Sequence, residues 1–200
     1  MNATTSSASH AISTSKPQDK ARVYQLKVTL RGIRPPIWRR LLVPGDVTLA
    51  DLHEILQVAM DWEDYHAWEF RVGRELFGIP DPSGWVEFQD AAESRLDEVV
   101  RQPKTKFQYI YDFGDNWVHD ILVEKILPPE PGVDYPLCTG GKRAAPPEDC
   151  GGIFGYLEKL EIIQNPGHPE YEDSVEWLGE SYDPEQFNPD LINERLRHLR

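Results

Sequence analysis

The segment that most constrains the fold is a pair of neighbouring alternating stretches, Phe107–Asp112 and Trp117–Ile126. Both are rich in aromatic and β-branched residues, which favour strands. They are separated by Phe113-Gly114-Asp115-Asn116. Gly and Asn tolerate the positive φ angles that short loops require. The pattern therefore predicts an antiparallel hairpin.

The register of this hairpin determines which polar side chains meet. A four-residue loop places Asp112 opposite Trp117 and Ile110 opposite His119, with Asp112 diagonally near His119. A carboxylate beside an imidazole can orient a general base or a metal ligand. The alternative is that Asp112, like other turn Asp and Asn residues, caps the turn while Trp117 and His119 pack. The capping interpretation is favoured, and the two stay open at this stage.

The rest of the chain indicates an α+β fold. Val23–Leu30 and Ile37–Val43 are predicted to be an antiparallel strand pair, and His66–Val72 a further strand. Helices are predicted at about 49–61, with Thr48 as N-cap, and at 93–100, 153–164, 168–178 and 188–199. Pro80 to Gly84 is predicted to be a turn. We expect a single domain with a largely antiparallel sheet covered by helices on one face.

The length and composition set the domain bounds. A chain of 200 residues, 40% of them hydrophobic, can bury one core. The Ser-, Thr- and Ala-rich start predicts a disordered tail over residues 1–21, followed by one domain over 22–199. No apolar run approaches the ~18–20 residues that a membrane span needs.

The charge and the cysteines restrict partners and location. The formal net charge is -13, which disfavours nucleic acid as a partner. Basic residues are nevertheless concentrated in residues 1–45. They either attract an acidic partner or are solvated charges that keep a strand edge from pairing with another chain. The two cysteines, Cys138 and Cys150, are too few for a secreted disulfide framework. We therefore expect a cytoplasmic protein that has no membrane partner.

Several motifs together resemble the plasmid pRiA4b ORF-3-like family over about residues 22–199. The matching segments are Tyr24–Val28, Pro35–Arg40, Leu52-His53, His66–Trp68, Tyr111–Trp117 with His119, Pro146–Gly152 with Gly155-Tyr156, and Asp183–Asn188. The resemblance implies an α+β domain of bacteria and archaea, found on plasmids, on chromosomes and as a passenger of insertion sequences. The family has no established activity, so the resemblance implies no catalytic residue.

A second motif is predicted to form a rigid acidic turn before a helix. Its sequence is Pro146-Pro147-Glu148-Asp149-Cys150-Gly151-Gly152. It and the hairpin loop each combine Gly and acidic residues beside aromatics, which is typical of a site. We expect the two to lie on one side of the sheet and to form one polar-edged groove. The candidate groove residues are His66, Trp68, Asp112, Asp115, Trp117, His119, Glu148 and Asp149.

No cofactor or metal is assigned from the sequence. His53, His66 and His119 are candidate ligands, but they lack a helical His-x-x-x-His spacing. Cys138 and Cys150 lack a neighbouring Cys-x-x-Cys or Cys-x-x-His partner, which structural zinc sites show. Whether these two cysteines are paired, metal-bound or free is left open.

Three functions remain. The favoured hypothesis is a non-catalytic binding or interaction domain for a protein or a small ligand, linked to plasmid or mobile-element biology. The second is a metal-assisted hydrolase that uses Asp112, Asp115, His119, Glu148 and Asp149. The third is a DNA-binding accessory protein that uses the basic strand pair at Lys27–Arg40. A shared cleft of titratable groups would favour the hydrolase, and an aromatic groove would favour the binding domain.

Overall fold

The computed structural model describes residues 21–80 and 87–199. The strands in these residues are β1 (Val23–Leu30), β2 (Trp38–Pro44), β3 (Trp68–Val72), β4 (Glu75–Gly78), β5 (Gln89–Asp90), β6 (Lys106–Tyr111), β7 (Trp117–Leu127) and β8 (Leu137–Lys142). They form one sheet in the order β5-β4-β3-β6-β7-β1-β2-β8. All pairs are antiparallel except β4 with β5, so the predicted antiparallel sheet is confirmed.

The helices follow the predicted order. They are α1 (Leu49–Met60), α2 (Leu96–Val99), α3 (Gly152–Ile162), α4 (Tyr171–Leu178) and α5 (Pro189–Leu196), with a 3₁₀ turn at Arg197–Leu199. Thr48 and Asp51 form the reciprocal capping box of α1. The Asn188 side chain accepts from the first amides of α5, as its sequence predicts. Local capping chemistry therefore positions both helices.

One face of the sheet is covered and the other is open. On β1, Tyr24, Leu26, Val28 and Leu30 are buried, whereas Gln25, Lys27 and Thr29 on the other face are partly exposed. The buried side chains share one core with Leu49, Leu52 and Leu56 of α1. The predicted single α+β domain, with helices on one face, is thus confirmed.

The predicted register of the hairpin is wrong by one residue. Tyr111 faces Trp117, and Tyr109 faces His119. Asp112 lies in the loop with φ 54°, and its carbonyl accepts from Asn116 N at 2.6 Å. The loop therefore holds five residues, 112–116, because Asp112 adopts the left-handed conformation that Asp tolerates and leaves the ladder.

Three strands were not predicted. Strands β4 and β5 are short, and β8 contains Cys138, Gly140 and Gly141, so each lacks a strong alternating pattern. A side chain at Gly141 would collide with the Phe187 ring and the Trp38 carbonyl, so close packing accounts for the glycine there. Residues 1–20, which hold nearly all of the predicted tail, and 81–84 of the predicted turn lie outside the described residues.

Candidate functional site

Three loops meet beyond one end of the hairpin. We call them the three-loop junction: residues 61–67 after α1, residues 112–116 between β6 and β7, and residues 146–152, which end at the first residue of α3. Trp62 Nε1 donates to the Pro146 carbonyl at 2.8 Å, and Tyr65 N donates to the Tyr111 hydroxyl at 3.0 Å. These bonds join the first loop to the third loop and to the hairpin.

Glu148 ties the acidic turn to the other elements. One carboxylate oxygen accepts from the Tyr111 hydroxyl, and the other accepts from Glu63 N at 2.8 Å. Burial and the neighbouring Glu148 carboxylate raise the pKa of Tyr111, so the phenol stays protonated and donates. Both oxygens of Glu148 are therefore engaged within the chain, and Glu148 organises the junction.

Asp115 places the hairpin loop directly against the turn. Its Oδ2 accepts from Gly151 N at 3.2 Å. Gly152 has φ 65°, and a Cβ there would lie 2.5 Å from the Asp115 carbonyl oxygen. Gly152 thus permits a backbone approach that a residue with a Cβ would prevent. The structure brings the two sequence motifs into contact, whereas their role as a binding groove stays a prediction.

His66, Asp112 and Asp149 form the cluster of titratable groups at this junction. His66 Nε2 lies 3.0 Å from Asp149 Oδ1 and 3.8 Å from Asp112 Oδ2. The three ligand atoms all lie within 4.8 Å of one another. Despite these distances, His66 Nε2 is buried and has no hydrogen-bond partner among the described residues. A buried polar atom without a partner is rare enough to require an explanation.

The two carboxylates of the cluster are held differently. Asp112 is buried, and its Oδ1 accepts from Gly114 N at 2.8 Å, which is the capping role expected of a turn Asp. Its Oδ2 faces His66. The side chain of Asp149 is 57% exposed. Asp112 and Asp149 both have positive φ, a conformation that concentrates in turns and functional sites.

Trp117 and His119 lie beneath the junction in the core. Both have 0% exposure, so neither side chain lines an open groove. Asp112 does not approach His119 as the sequence predicted, because the register differs and Tyr109 takes the position opposite His119. Burial lowers the pKa of His119 to about 4, so the ring is neutral near pH 7.

Trp68 and His53 belong to a separate buried network. Their rings stack with centroids 4.1 Å apart. His53 contacts the Tyr109 hydroxyl through Nδ1 at 2.7 Å and Asp64 through Nε2 at 2.9 Å. The three histidines considered as joint ligands therefore do not converge, since His53 and His119 each have other surroundings.

An acidic depression borders the junction. It has a volume of about 580 Å³ and is lined by Glu148, Asp173, Glu176 and Trp177. The Trp177 side chain is 49% exposed, and the ammonium of Lys159 lies 5.5 Å from its ring centroid. The candidate residues predicted from the sequence do not include Asp173, Glu176 or Trp177. Their spacing on α4 was a detectable signal, since it sets an aromatic residue among acidic ones.

The basic strand pair is largely neutralised. Arg31 pairs with Asp120, and Arg40 pairs with Glu124. Arg39 is buried, and its guanidinium donates to backbone carbonyls, including that of Ala59 at 2.9 Å. A wider depression of about 710 Å³ lies on the open sheet face beside Lys27, Arg31 and Lys106, away from the junction. Most of the basic side chains on this strand pair are thus used within the chain.

Cys138 and Cys150 are buried free thiols. Burial raises the pKa of Cys150 to about 12 and also raises that of Cys138. Both thiols therefore stay protonated near neutral pH, which does not suit metal ligation or redox chemistry. Within residues 21–80 and 87–199, no helix combines the length and apolarity that crossing a bilayer demands.

Comparisons with known proteins agree with the fold. The model of the family described as Plasmid pRiA4b ORF-3-like protein matches residues 22–191. An uncharacterized protein, y4hQ, of Sinorhizobium fredii is 38% identical over 181 residues, which cover 90% of this chain and 93% of that protein. The crystal structure of a protein of unknown function, MM3350, from Methanosarcina mazei Go1 is 43% identical with a TM-score of 0.79, covering 86% of this chain and 97% of the other. The chain belongs to the plasmid pRiA4b ORF-3-like family.

Proposed function

We propose that this protein is a non-catalytic interaction domain of the cytoplasm that binds a basic segment of a protein partner at the acidic depression. The observation that carries this proposal is the exposure of Trp177 among the carboxylates of Glu148, Asp173 and Glu176. Acidic groups around an exposed indole complement Lys and Arg side chains in both charge and cation–π geometry.

The contact between Lys159 and Trp177 supports this reading. The Lys159 ammonium already lies over the Trp177 ring, where we propose that a Lys or Arg side chain of the partner binds. Tyr65, 69% exposed, is linked to Glu148 through Tyr111, whose hydroxyl accepts from Tyr65 N and donates to the Glu148 carboxylate. Exposed aromatic residues next to a charged rim are typical of interaction surfaces. A basic segment with interspersed apolar residues fits this surface.

The polar groups of the junction support binding more than catalysis. Both oxygens of Glu148 and the Nδ1 and Nε2 atoms of His53 are engaged within the chain, and His119 is in the core. The family description refers to a plasmid reading frame, which supports a role in plasmid or mobile-element biology. The two free cysteines support a reducing compartment.

A peptide-binding experiment tests the proposal. A fluorescein-labelled peptide of alternating Arg and Leu is titrated with the full chain, and anisotropy is followed at two salt concentrations. We expect saturable binding that weakens with salt and falls at least about tenfold in Trp177→Ala and in Asp173→Asn/Glu176→Gln, since aromatic anchors dominate interfaces. A peptide with Glu in place of Arg should not bind.

The matched control is Glu93→Gln/Glu98→Gln. It removes the same charge at exposed positions beside the start of α1, whereas the junction follows its end. The control should bind the peptide as the native chain does. Equal affinity in the control and in both test variants would contradict the proposal, and so would an absence of binding by the native chain.

The metal-assisted hydrolase stays a second candidate because His66, Asp112 and Asp149 converge as a possible ligand set. His119, part of the predicted hydrolytic set, is buried away from it. Hydrolysis of p-nitrophenyl esters or phosphates, dependent on Zn²⁺ or Mn²⁺ and lost in Asp149→Asn, would support this candidate over a purely binding role.

A further inference from the structure

We infer that His66, Asp112 and Asp149 bind one divalent transition-metal ion. The inference stands apart from the peptide surface, because it depends on a different group of side chains. It rests on their arrangement in the three-loop junction, where residues far apart in sequence present one imidazole nitrogen and two carboxylate oxygens to a common point.

The distances suit one ion. Zinc bonds to histidine nitrogen and carboxylate oxygen are about 2.0–2.2 Å, so two ligands of one ion lie no more than ~4.4 Å apart. His66 Nε2 lies 3.0 Å from Asp149 Oδ1 and 3.8 Å from Asp112 Oδ2. Both separations fall inside that limit, and the two carboxylate oxygens lie within 4.8 Å of each other. An ion between these atoms therefore requires little movement of the loops.

The unpartnered nitrogen of His66 is an independent observation. Its Nε2 is buried and lacks a hydrogen bond, although two carboxylates lie nearby. In the neutral tautomer that carries its proton on Nδ1, the Nε2 lone pair points into the space between the two carboxylates, which is the form in which an imidazole binds a metal. A metal ion would satisfy the nitrogen and would also offset the charge of two neighbouring carboxylates.

The surroundings hold the ligands in place. Asp112 Oδ1 accepts from Gly114 N, which leaves Oδ2 to face the cluster. The rings of His66 and Tyr111 pack in a T-shaped contact with centroids 5.9 Å apart. Ligands that are fixed by outer contacts bind metal more tightly. The capping role of Asp112 and its role as a ligand are therefore compatible.

The ligand types define the class of ion. One nitrogen and two oxygens suit Zn²⁺, Mn²⁺, Fe²⁺ or Co²⁺ better than Cu⁺, which prefers sulfur. The exposure of Asp149 leaves further coordination positions open to water. The ion would join the turn at 146–152 to the hairpin loop, which Asp115 and Gly151 already bring together.

The test uses the full chain after dialysis against a chelator. Calorimetric titration with Zn²⁺ should give one ion per chain, and Co²⁺ should give visible absorption bands of a nitrogen–oxygen site. His66→Gln, Asp112→Asn and Asp149→Asn should each weaken Zn²⁺ binding at least about tenfold. Asn keeps the turn and the positive φ at positions 112 and 149, so these two variants should fold.

Two controls separate this site from others. Glu93→Gln removes an exposed carboxylate outside the junction, and His198→Gln removes an exposed imidazole. Both should bind Zn²⁺ as the native chain does. A specific site should have a Kd well below about 1 mM. If the chain binds no Zn²⁺ at about 1 mM, the inference is overturned. Unchanged affinity in all three ligand variants would also overturn it.

The peptide titration, repeated in the chelator, distinguishes this inference from the proposed function. Peptide binding without Zn²⁺ binding would reject the metal site alone. Zn²⁺ binding that is lost in the ligand variants supports the metal site whether or not the peptide binds.

Discussion

Asp115 and Gly152 meet backbone to backbone across the three-loop junction. The Asp115 carbonyl oxygen would lie 2.5 Å from a Cβ at Gly152, and Gly152 has φ 65°. A single methyl group is therefore enough to separate the hairpin loop from the acidic turn.

Gly152→Ala should lower the free energy of unfolding by about 2–5 kcal/mol, since it combines backbone strain with a steric clash. Gly132→Ala is the matched control. Gly132 also has a positive φ, 80°, but a Cβ there meets nothing within 4 Å. The free energy of unfolding of the control should fall by only about 1–2 kcal/mol, because an Ala at positive φ is strained. Urea denaturation measures both, and equal losses would show that the close approach does not matter.

Trp117→Ala should lower the free energy of unfolding by about 3–5 kcal/mol, because it removes a fully buried indole from the core. Trp177→Ala removes the same side chain from an exposed position and should cost less than about 1 kcal/mol. Chemical denaturation of the two variants makes the comparison. A loss below 1 kcal/mol for Trp117→Ala would assign that residue to the surface.

Acid should destabilise the protein partly through His119. Burial lowers its pKa in the folded state to about 4, whereas the ordinary value is 6.5. The unfolded chain therefore binds a proton more readily, so stability is lost as pH falls from about 6.5 towards 4. The full contribution is about 3 kcal/mol. The pKa of His53 is also lowered by burial, so it acts in the same direction.

The measurement is urea denaturation between pH 7.5 and 4.5, a range above the ordinary pKa of most carboxylates. His119→Leu replaces the imidazole with an apolar side chain of similar size that cannot titrate. Its stability should decline less steeply with acid than that of the native chain. The same slope in both proteins would show that His119 does not contribute.

Glu148 and Tyr111 should stabilise the junction jointly. Glu148→Ala removes the acceptor of the Tyr111 hydroxyl and of Glu63 N, and we expect a loss of about 1–3 kcal/mol. Glu158→Ala, at an exposed position of α3, should change stability little. A double-mutant cycle with Tyr111→Phe measures the coupling, and additive effects would mean that the two side chains do not interact.

Much of the fold could be predicted from the sequence because it depends on local patterns. Alternation identified β1, β2, β6 and β7, and capping chemistry identified α1 and α5. The missed strands show where local patterns fail. Strand β8 contains two glycines, and Gly141 is required by Phe187, a residue 46 positions later in the chain. Packing of this kind leaves no local pattern.

The candidate site was predictable only as a set of motifs. The sequence pointed to the hairpin loop, the acidic turn and the His66 segment, and these do meet. It placed Asp112 beside His119, because a four-residue and a five-residue loop look alike in sequence. It also counted Trp117 and His119 with the groove, although alternation of the strand turns both towards the core.

The sequence by itself determined the family, the α+β class and the positions of the main elements, because periodicity and capping act over a few residues. The tertiary structure alone decided that His66, Asp112 and Asp149 form one cluster while His53 and His119 are engaged elsewhere. It also placed Trp177 beside Glu148. These relationships depend on loops separated by tens of residues, and their meeting is set by strand register and by close backbone contacts rather than by any local pattern.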